Sequence, residues 1–208
     1  MRRCVSHPVA WACALLGASG AIAGPFALDL AGAAEPVPVA SPPRFGEPDG
    51  RWWSLGVTYA PDLTDATDVN AYASVSRFLV QDFEVMGELA IWYFAQPGRD
   101  AAGVNPALNL RWHIVNTHRD PSAGAQWSLF IDAGMGVLAS TGNVPSGGTG
   151  LNFTPRAGAG LTWRPSAGRS LYHAGVRWHH ISNARIHGNE RNPDRDAPAF
   201  YAGVGFPF

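Results

Sequence analysis

The stretch Tyr172–Asp196, YHAGVRWHHISNARIHGNERNPDRD, decides how the rest of the chain is read. Its first half alternates in character. Tyr172, Ala174, Val176 and Trp178 fall on one face and His173, Gly175, Arg177 and His179 on the other, the period-two signature of a strand. The apolar row then runs on into His180 and Ser182. Two residues apart on one strand face, their Cα atoms lie roughly 6.6 Å from each other and point the same way, so an imidazole can reach the serine oxygen. A base and a hydroxyl on a greasy strand face suggest an enzyme acting on a lipid.

The same alternation recurs in both directions from this stretch, with no convincing helical spacing anywhere. Trp53, Leu55, Val57 and Tyr59 alternate with Ser54, Gly56 and Thr58; a less regular strand follows near Val69–Phe78, where Arg77 interrupts the apolar row. Phe83, Val85, Leu89, Ile91 and Tyr93 oppose Glu84 and Glu88, and Leu108, Leu110, Trp112 and Ile114 oppose Asn109, Arg111 and His113. Trp127, Leu129, Ile131, Ala133, Met135 and Val137 oppose Gln126, Ser128, Asp132 and two glycines. Leu151, Phe153, Ala157, Leu161 and Trp163 oppose Asn152, Thr154, Arg156, Thr162 and Arg164. Phe200, Ala202, Val204, Phe206 and Phe208 close the chain opposite Tyr201, Gly203, Gly205 and Pro207.

One face of every strand is large, apolar and aromatic, while the other mixes charge with glycine. That inverts a water-soluble sandwich and suits a barrel that is greasy outside and polar inside. Strands of about ten residues are long enough to cross a bilayer at a tilt. The expected fold is all-β: an eight-stranded antiparallel transmembrane β-barrel, the smallest common size, with an interior filled by side chains.

Composition agrees. Hydrophobic residues make up 46% and charged residues 15%, yet mean hydropathy is only −0.05, as alternating strands give and a bundle of membrane helices does not. A formal charge of −1 gives no reason to expect nucleic acid as a partner. The chain has no lysine, so all of its formal positive charge is arginine; a GC-rich genome is the simplest explanation, and the planar arginine fork would also pair with phosphate in a bidentate way.

Arg2 and Arg3 followed by the apolar run Val9–Ala23 and small-residue clusters at 21–23 and 31–34 read as a signal peptide over residues 1–34. Export through such a segment, joined to a barrel, places the protein in the outer membrane of a Gram-negative bacterium. Cys4 and Cys13 are the only cysteines, and both lie in this segment, so disulfides, thiolate catalysis and cysteine metal sites are excluded from the mature chain. Residues 35–50, with five prolines, read as a flexible lead-in, and 51–208 as the barrel.

With both ends of the barrel sequence on the periplasmic side, the segments near 62–68, 96–102, 140–149 and 183–197 become outer loops. Those near Gln81 and Pro165–Gly168 become inner turns, and the linker near Asn116–Ala125 is longer than inner turns usually are. His180 and Ser182 then emerge at the outer end of strand seven, on the lipid face.

His180-Ile181-Ser182-Asn183-Ala184, followed by Asn192-Pro193, a carboxylate and a final aromatic strand, resembles the PagL-type lipid A 3-O-deacylases. The resemblance is sharp over about the last thirty residues and elsewhere rests on strand count and pattern. It implies an eight-stranded outer-membrane enzyme without a cofactor or metal, acting on lipid A of lipopolysaccharide, with His180 as base, Ser182 as nucleophile and Asn183 beside the oxyanion. The family's acid is typically a glutamate soon after an Asn-x-Gly turn. Here Asp196 takes that place if the preceding loop carries an insertion, Asp194 if it does not, and Glu190 is a further alternative. The family's glycine three residues after the serine, an oxyanion donor, is Arg185 in this chain. Arg185 could equally be a solvated loop charge or hold a lipid A phosphate.

Two other readings stand beside this one. An outer-membrane phospholipase A shares a similar His-x-Ser-Asn signature but is twelve-stranded and uses calcium. A non-enzymatic small barrel would need neither residue. The sequence leaves the oligomeric state open, a homodimer included. Glu88, His113, His173, Arg177 and His179 are expected to form a polar network inside the barrel. Arg99, Arg119, Arg191 and Arg195 are read as solvated loop charges, and Asn152-Phe153-Thr154 as pairing with strand seven.

Overall fold

A computed structural model describes residues 44–208 apart from 63–64, 119–125 and 166–168, so the expected signal peptide, Arg119 and the first part of the lead-in lie outside the described residues. The described residues form nine strands: β1 (Arg51–Pro61), β2 (Thr67–Val80), β3 (Phe83–Ala95), β4 (Ala101–Asn116), β5 (Gln126–Val144), β6 (Thr149–Phe153), β7 (Arg156–Arg164), β8 (Leu171–Ile181) and β9 (Arg195–Pro207). All pairings are antiparallel; β1 pairs with both β2 and β9, and β4 with β5, so the sheet closes on itself.

The closed barrel has eight strand positions because β6 and β7 share one of them, both paired to β5. The break falls at Thr154–Pro155. Pro155 has no N–H to give to a ladder, but its carbonyl still accepts the His180 N–H at 3.0 Å. Eight positions exclude the twelve-stranded alternative. Residues 62, 65–66, 96–100, 145–148 and 182–194 gather at one end, called here the loop end; residues 81–82, 117–118, 165 and 169–170 lie at the opposite turn end.

The alternation lands as the sequence predicts. Leu55, Val57, Leu89, Ile91, Leu108, Leu110, Leu129, Ile131, Val176 and Phe200 point outward and are exposed, a continuous apolar belt suited to acyl chains. Trp53, Trp127, Trp163 and Tyr172 ring its turn end, and Tyr59, Tyr93 and Trp178 lie toward its loop end. Arg77, which interrupts the outward row of β2, sits near the turn end and is paired with Asp49. The Asp49 carboxyl lies below the ordinary aspartate range through the hydrogen bond and the charge of Arg77.

The interior is layered. At mid-barrel Arg156 meets Glu88 at 2.7 Å, Arg177 meets Asp132 at 2.8 Å and Glu88 at 3.8 Å, and Arg111 meets Glu84 at 3.2 Å and Asp132 at 3.4 Å. Tyr201 adds its hydroxyl to Asp132 at 3.1 Å, and Tyr72 bonds His173 at 2.8 Å. Buried charges require such partners. The glycines opposite make room: a Cβ at Gly160 would sit 2.4 Å from the Phe130 ring.

Two apolar plugs bracket this network, a feature the alternation alone does not reveal. Trp92, Phe94, Leu138, Val144 and Ile181 fill the loop end, with His179 stacked on Trp92 at 4.9 Å. Phe45, Trp52, Phe78 and Leu171 fill the turn end. Phe45 corrects the expectation of a flexible lead-in through residue 50. Residues 44–50 are built onto the barrel, with Asp49 N–H donating to Phe78 O, Phe78 N–H to Gly50 O and Asp82 N–H to Gly46 O, all at 2.9 Å. The aromatic ring of Phe45 has a hydrophobic socket to fill, which outweighs the proline-rich composition around it.

Candidate active site

Strand β8 carries His180 as its penultimate residue and delivers Ser182 one step past its end. The β8 ladder to the neighbouring strand does not stop at the Pro155 break. Ser182 N–H donates to Phe153 O at 3.1 Å and Phe153 N–H to Ser182 O at 2.7 Å, so Ser182 is held in strand-like geometry. The expected pairing of Asn152-Phe153-Thr154 with strand seven is this bridge, and it fixes the hydroxyl's backbone.

His180 and Ser182 therefore project on the outward row, two residues apart. The ring Nε2 lies 2.9 Å from Ser182 Oγ, and Nδ1 lies 2.9 Å from Asp196 Oδ1. A carboxylate only accepts, so Nδ1 carries the proton and donates to Asp196; in the neutral ring Nε2 is then bare and accepts from the serine hydroxyl. Ser182 is 8% exposed, whereas 18% of the His180 and 55% of the Asp196 side chain are open to the surroundings. The array is buried at the serine and open at the acid.

Asp196 is brought there by strand pairing. β9 begins at Arg195, and His180 faces Asp196 directly in the β8–β9 register. The sequence expectation put this carboxylate in a loop, where the short aspartate side chain would demand a close approach. A cross-strand pair supplies that approach, because opposed side chains start only about 5 Å apart at Cβ. Of the alternates, Glu190 lies exposed in the 3-10 turn Asn189–Arg191. Asp194 is near, its carboxylate within 4.8 Å of the His180 and Asp196 ligand atoms, but the carboxylate on Nδ1 is that of Asp196.

Trp178, two residues before His180, is a member of the site that the sequence reading passed over. Its Nε1–H donates to Asp196 Oδ1 at 2.6 Å, and its ring stacks on the imidazole at 5.4 Å with 29° between planes. The visible signal was its place on the same outward row as His180.

Asn183 is 1% exposed and organises the loop that follows. Its Oδ1 accepts from Arg185 N–H at 2.9 Å, and its Nδ2 donates to Thr149 Oγ1 at 3.2 Å and Arg191 O at 2.5 Å. Its own N–H goes to Asn192 Oδ1 at 2.8 Å. Ala184 and Arg185 have φ of 52° and 63°, and Ile186 N–H donates back to Asn183 O at 3.2 Å. Two successive positive φ values with that bond are a tight turn that glycine enters freely and other residues enter at a cost. The two oxyanion candidates thus differ from the expectation: the N–H groups of Asn183 and Arg185 already have acceptors.

Arg195 is corrected as well. It is 6% exposed, with Nη1 2.6 Å from Asp68, Nη2 2.9 Å from Gln96 Oε1 and Nε 3.6 Å from Asp62. Alternation on β9 sends Arg195 inward as it sends Asp196 outward, and this buried pair ties the first turn of the strand to β2 and the 96–100 loop. Arg185 remains exposed.

The fold is shared with solved outer-membrane proteins. The crystal structure of the outer membrane enzyme PagL matches at 22% identity over 74% of this chain and 99% of that one, with a TM-score of 0.50. Neisserial surface protein A (NspA) matches at 11% identity over 76% of this chain and 96% of that one, with a TM-score of 0.53. No curated protein matches the chain at a significant level. A family model, lipid A 3-O-deacylase (PagL), matches residues 88–204, more than half of the chain and the whole of the site just described, so the protein belongs to the PagL family of outer-membrane lipid A deacylases.

Proposed function

We propose that this protein is a serine esterase that removes the acyl chain at the 3-O position of lipid A, with Ser182 as nucleophile, His180 as general base and Asp196 as the acid that orients it. The observation that carries the reading is the continuous chain Asp196 Oδ1–His180–Ser182 Oγ, two hydrogen bonds of 2.9 Å on the outward face of the barrel. An exported barrel with its loop end in the outer leaflet would hold this face at the level of lipopolysaccharide esters.

The reaction follows from the proton positions. Ser182 Oγ attacks the ester carbonyl as Nε2 of His180 takes its proton, and the imidazolium that forms is balanced by Asp196. The tetrahedral oxyanion collapses, His180 returns the proton to the sugar hydroxyl that leaves, and an acyl-Ser182 remains. Water then attacks the acyl-enzyme with His180 again as base, releasing a fatty acid and regenerating Ser182. We assign oxyanion stabilisation to the Asn183–Ile186 turn, where the N–H groups of Asn183 and Arg185 would leave Asn192 Oδ1 and Asn183 Oδ1 for the oxyanion as charge develops. No step requires a metal or cofactor. His180, Asp194 and Asp196 could in principle approach one cation, but Nδ1 is committed to Asp196, and a chelator should leave the rate unchanged.

The deciding experiment is mass spectrometry of lipid A from Gram-negative cells expressing the protein, beside cells expressing Ser182→Ala. Loss of one 3-O-linked hydroxyacyl chain with the wild type alone supports the proposal. Loss of a chain from another position overturns the 3-O specificity. Unchanged lipid A with folded protein in the outer membrane overturns the activity, and release of fatty acid from phospholipid instead would reassign the substrate.

A further inference from the structure

We infer that Trp178 is a positioning residue of this esterase, holding the Asp196 carboxylate and the His180 ring in a common geometry. The inference rests on the triad reading above and adds a fourth member to it. Asp196 lies at the lip of the array with 55% of its side chain exposed, so without a further restraint its short carboxylate would be free to rotate toward solvent. Both donors that restrain it come from one strand. Trp178 Nε1–H and His180 Nδ1–H converge on the same oxygen, Oδ1, at 2.6 and 2.9 Å. The indole also stacks on the imidazole at 5.4 Å. Alternation makes this possible: Trp178 and His180 share the outward row of β8, while Asp196 faces His180 and Pro198 faces Trp178 across the β8–β9 ladder. The proline at that position presents a compact ring where a longer side chain would contest the indole's path to Asp196.

An outward tryptophan near one end of a barrel strand has an ordinary role, anchoring at the membrane interface. That role requires a ring and a polar edge, and makes no demand on where the N–H points. Here the N–H points back along the protein to a carboxylate that is already bonded to the base. A hydrogen bond to a charged group, lost at the acid, acts on the step where the imidazolium forms and leaves substrate binding untouched.

The test uses the full-length protein in detergent micelles with purified lipid A as substrate, measuring initial rates of acyl release for Trp178→Phe, Asp196→Ala and the double variant. Phenylalanine keeps the stacked ring and the apolar surface and removes only the donor. The expected result is a kcat about tenfold lower for Trp178→Phe with KM unchanged. In the Asp196→Ala background the same change should have no further effect, because Trp178 acts through that carboxylate. Wild-type kcat in Trp178→Phe, or a full additional loss in the double variant, would overturn the inference in favour of interface anchoring. Absence of acyl release from the wild-type protein would instead overturn the esterase reading itself, so the two failures are distinguishable.

Discussion

Among the described residues the barrel holds two serine–histidine–carboxylate arrays, one sealed inside the wall and one open on the outward face. Inside the wall, His113 Nδ1 lies 2.7 Å from Ser128 Oγ and its Nε2 lies 3.3 Å from Glu84 Oε1. On the outward face, His180 makes the corresponding bonds to Ser182 and Asp196, both at 2.9 Å. Both sets of distances are within hydrogen-bonding range, although the inner ring turns Nδ1 to its serine and Nε2 to its carboxylate. Their surroundings separate them. The inner histidine is packed against Phe45, Phe78 and Phe130, its glutamate is shared with Arg111, and its serine is also bonded to Thr162. Its histidine, serine and glutamate are each bonded to a further side chain or packed against aromatic rings, and an ester has nowhere to enter. The outer array opens onto the apolar belt. A triad is thus a geometric statement and a nucleophile is a statement about access; the first does not imply the second.

The comparison can be broken most directly at the two serines. Ser182→Ala should lower acyl release by about a thousandfold or more, while Ser128→Ala should leave it within a few-fold of wild type; lipid A mass spectrometry on both variants reads the contrast. Loss of activity in both would mean that the inner array supports the outer one.

The carboxylates give the next contrast. Asp196→Asn keeps the shape but cannot balance the imidazolium, and kcat should fall about a hundredfold or more. Asp194→Asn, which removes a neighbour that is not bonded to His180, should change kcat less than about threefold. The reverse ranking would transfer the acid to Asp194.

Inside the barrel the same kind of substitution should act on stability instead. Glu84→Gln leaves Arg111 with a single carboxylate partner, Asp132, and puts a neutral amide where His113 and Arg111 meet a carboxylate. Breaking buried pairs of this kind costs roughly 3 kcal/mol, to be read as an earlier midpoint of urea unfolding in lipid vesicles, with the activity of the folded fraction retained.

The smallest effect concerns the turn after Ser182. Arg185→Gly places the residue best suited to φ of 63° at that position and should stabilise the loop by about 1 kcal/mol. Slower proteolysis within 183–194 at unchanged kcat would show it. A raised KM together with that protection would add a substrate contact for the lost guanidinium.

Much of this was legible in the amino-acid sequence because a transmembrane barrel imposes one rule on every strand. The outward rows of β1, β3, β4, β5 and β8 can be written down from period-two alternation, and the same rule puts His180 and Ser182 on one face within reach of each other. Arg195 and Asp196 show where reading stops. As neighbours in a loop both looked solvated or ambiguous; once β9 is seen to begin at Arg195, alternation sends one to a buried pair with Asp68 and the other to His180. Phe45 was missed because proline-rich composition describes a segment's own preferences and says nothing of a socket formed by Trp52, Phe78 and Leu171.

What the sequence determined by itself is therefore local and periodic: strand faces, the inverted polarity that demands a lipid solvent, and a base and hydroxyl two residues apart. Only the tertiary structure decided which carboxylate meets the base, that Trp178 shares that carboxylate, and that the inner serine–histidine–glutamate array is sealed. Those are matters of register and closure, contacts between residues far apart in the chain, and side-chain alternation within one strand carries no information about which residue of the next strand it will face.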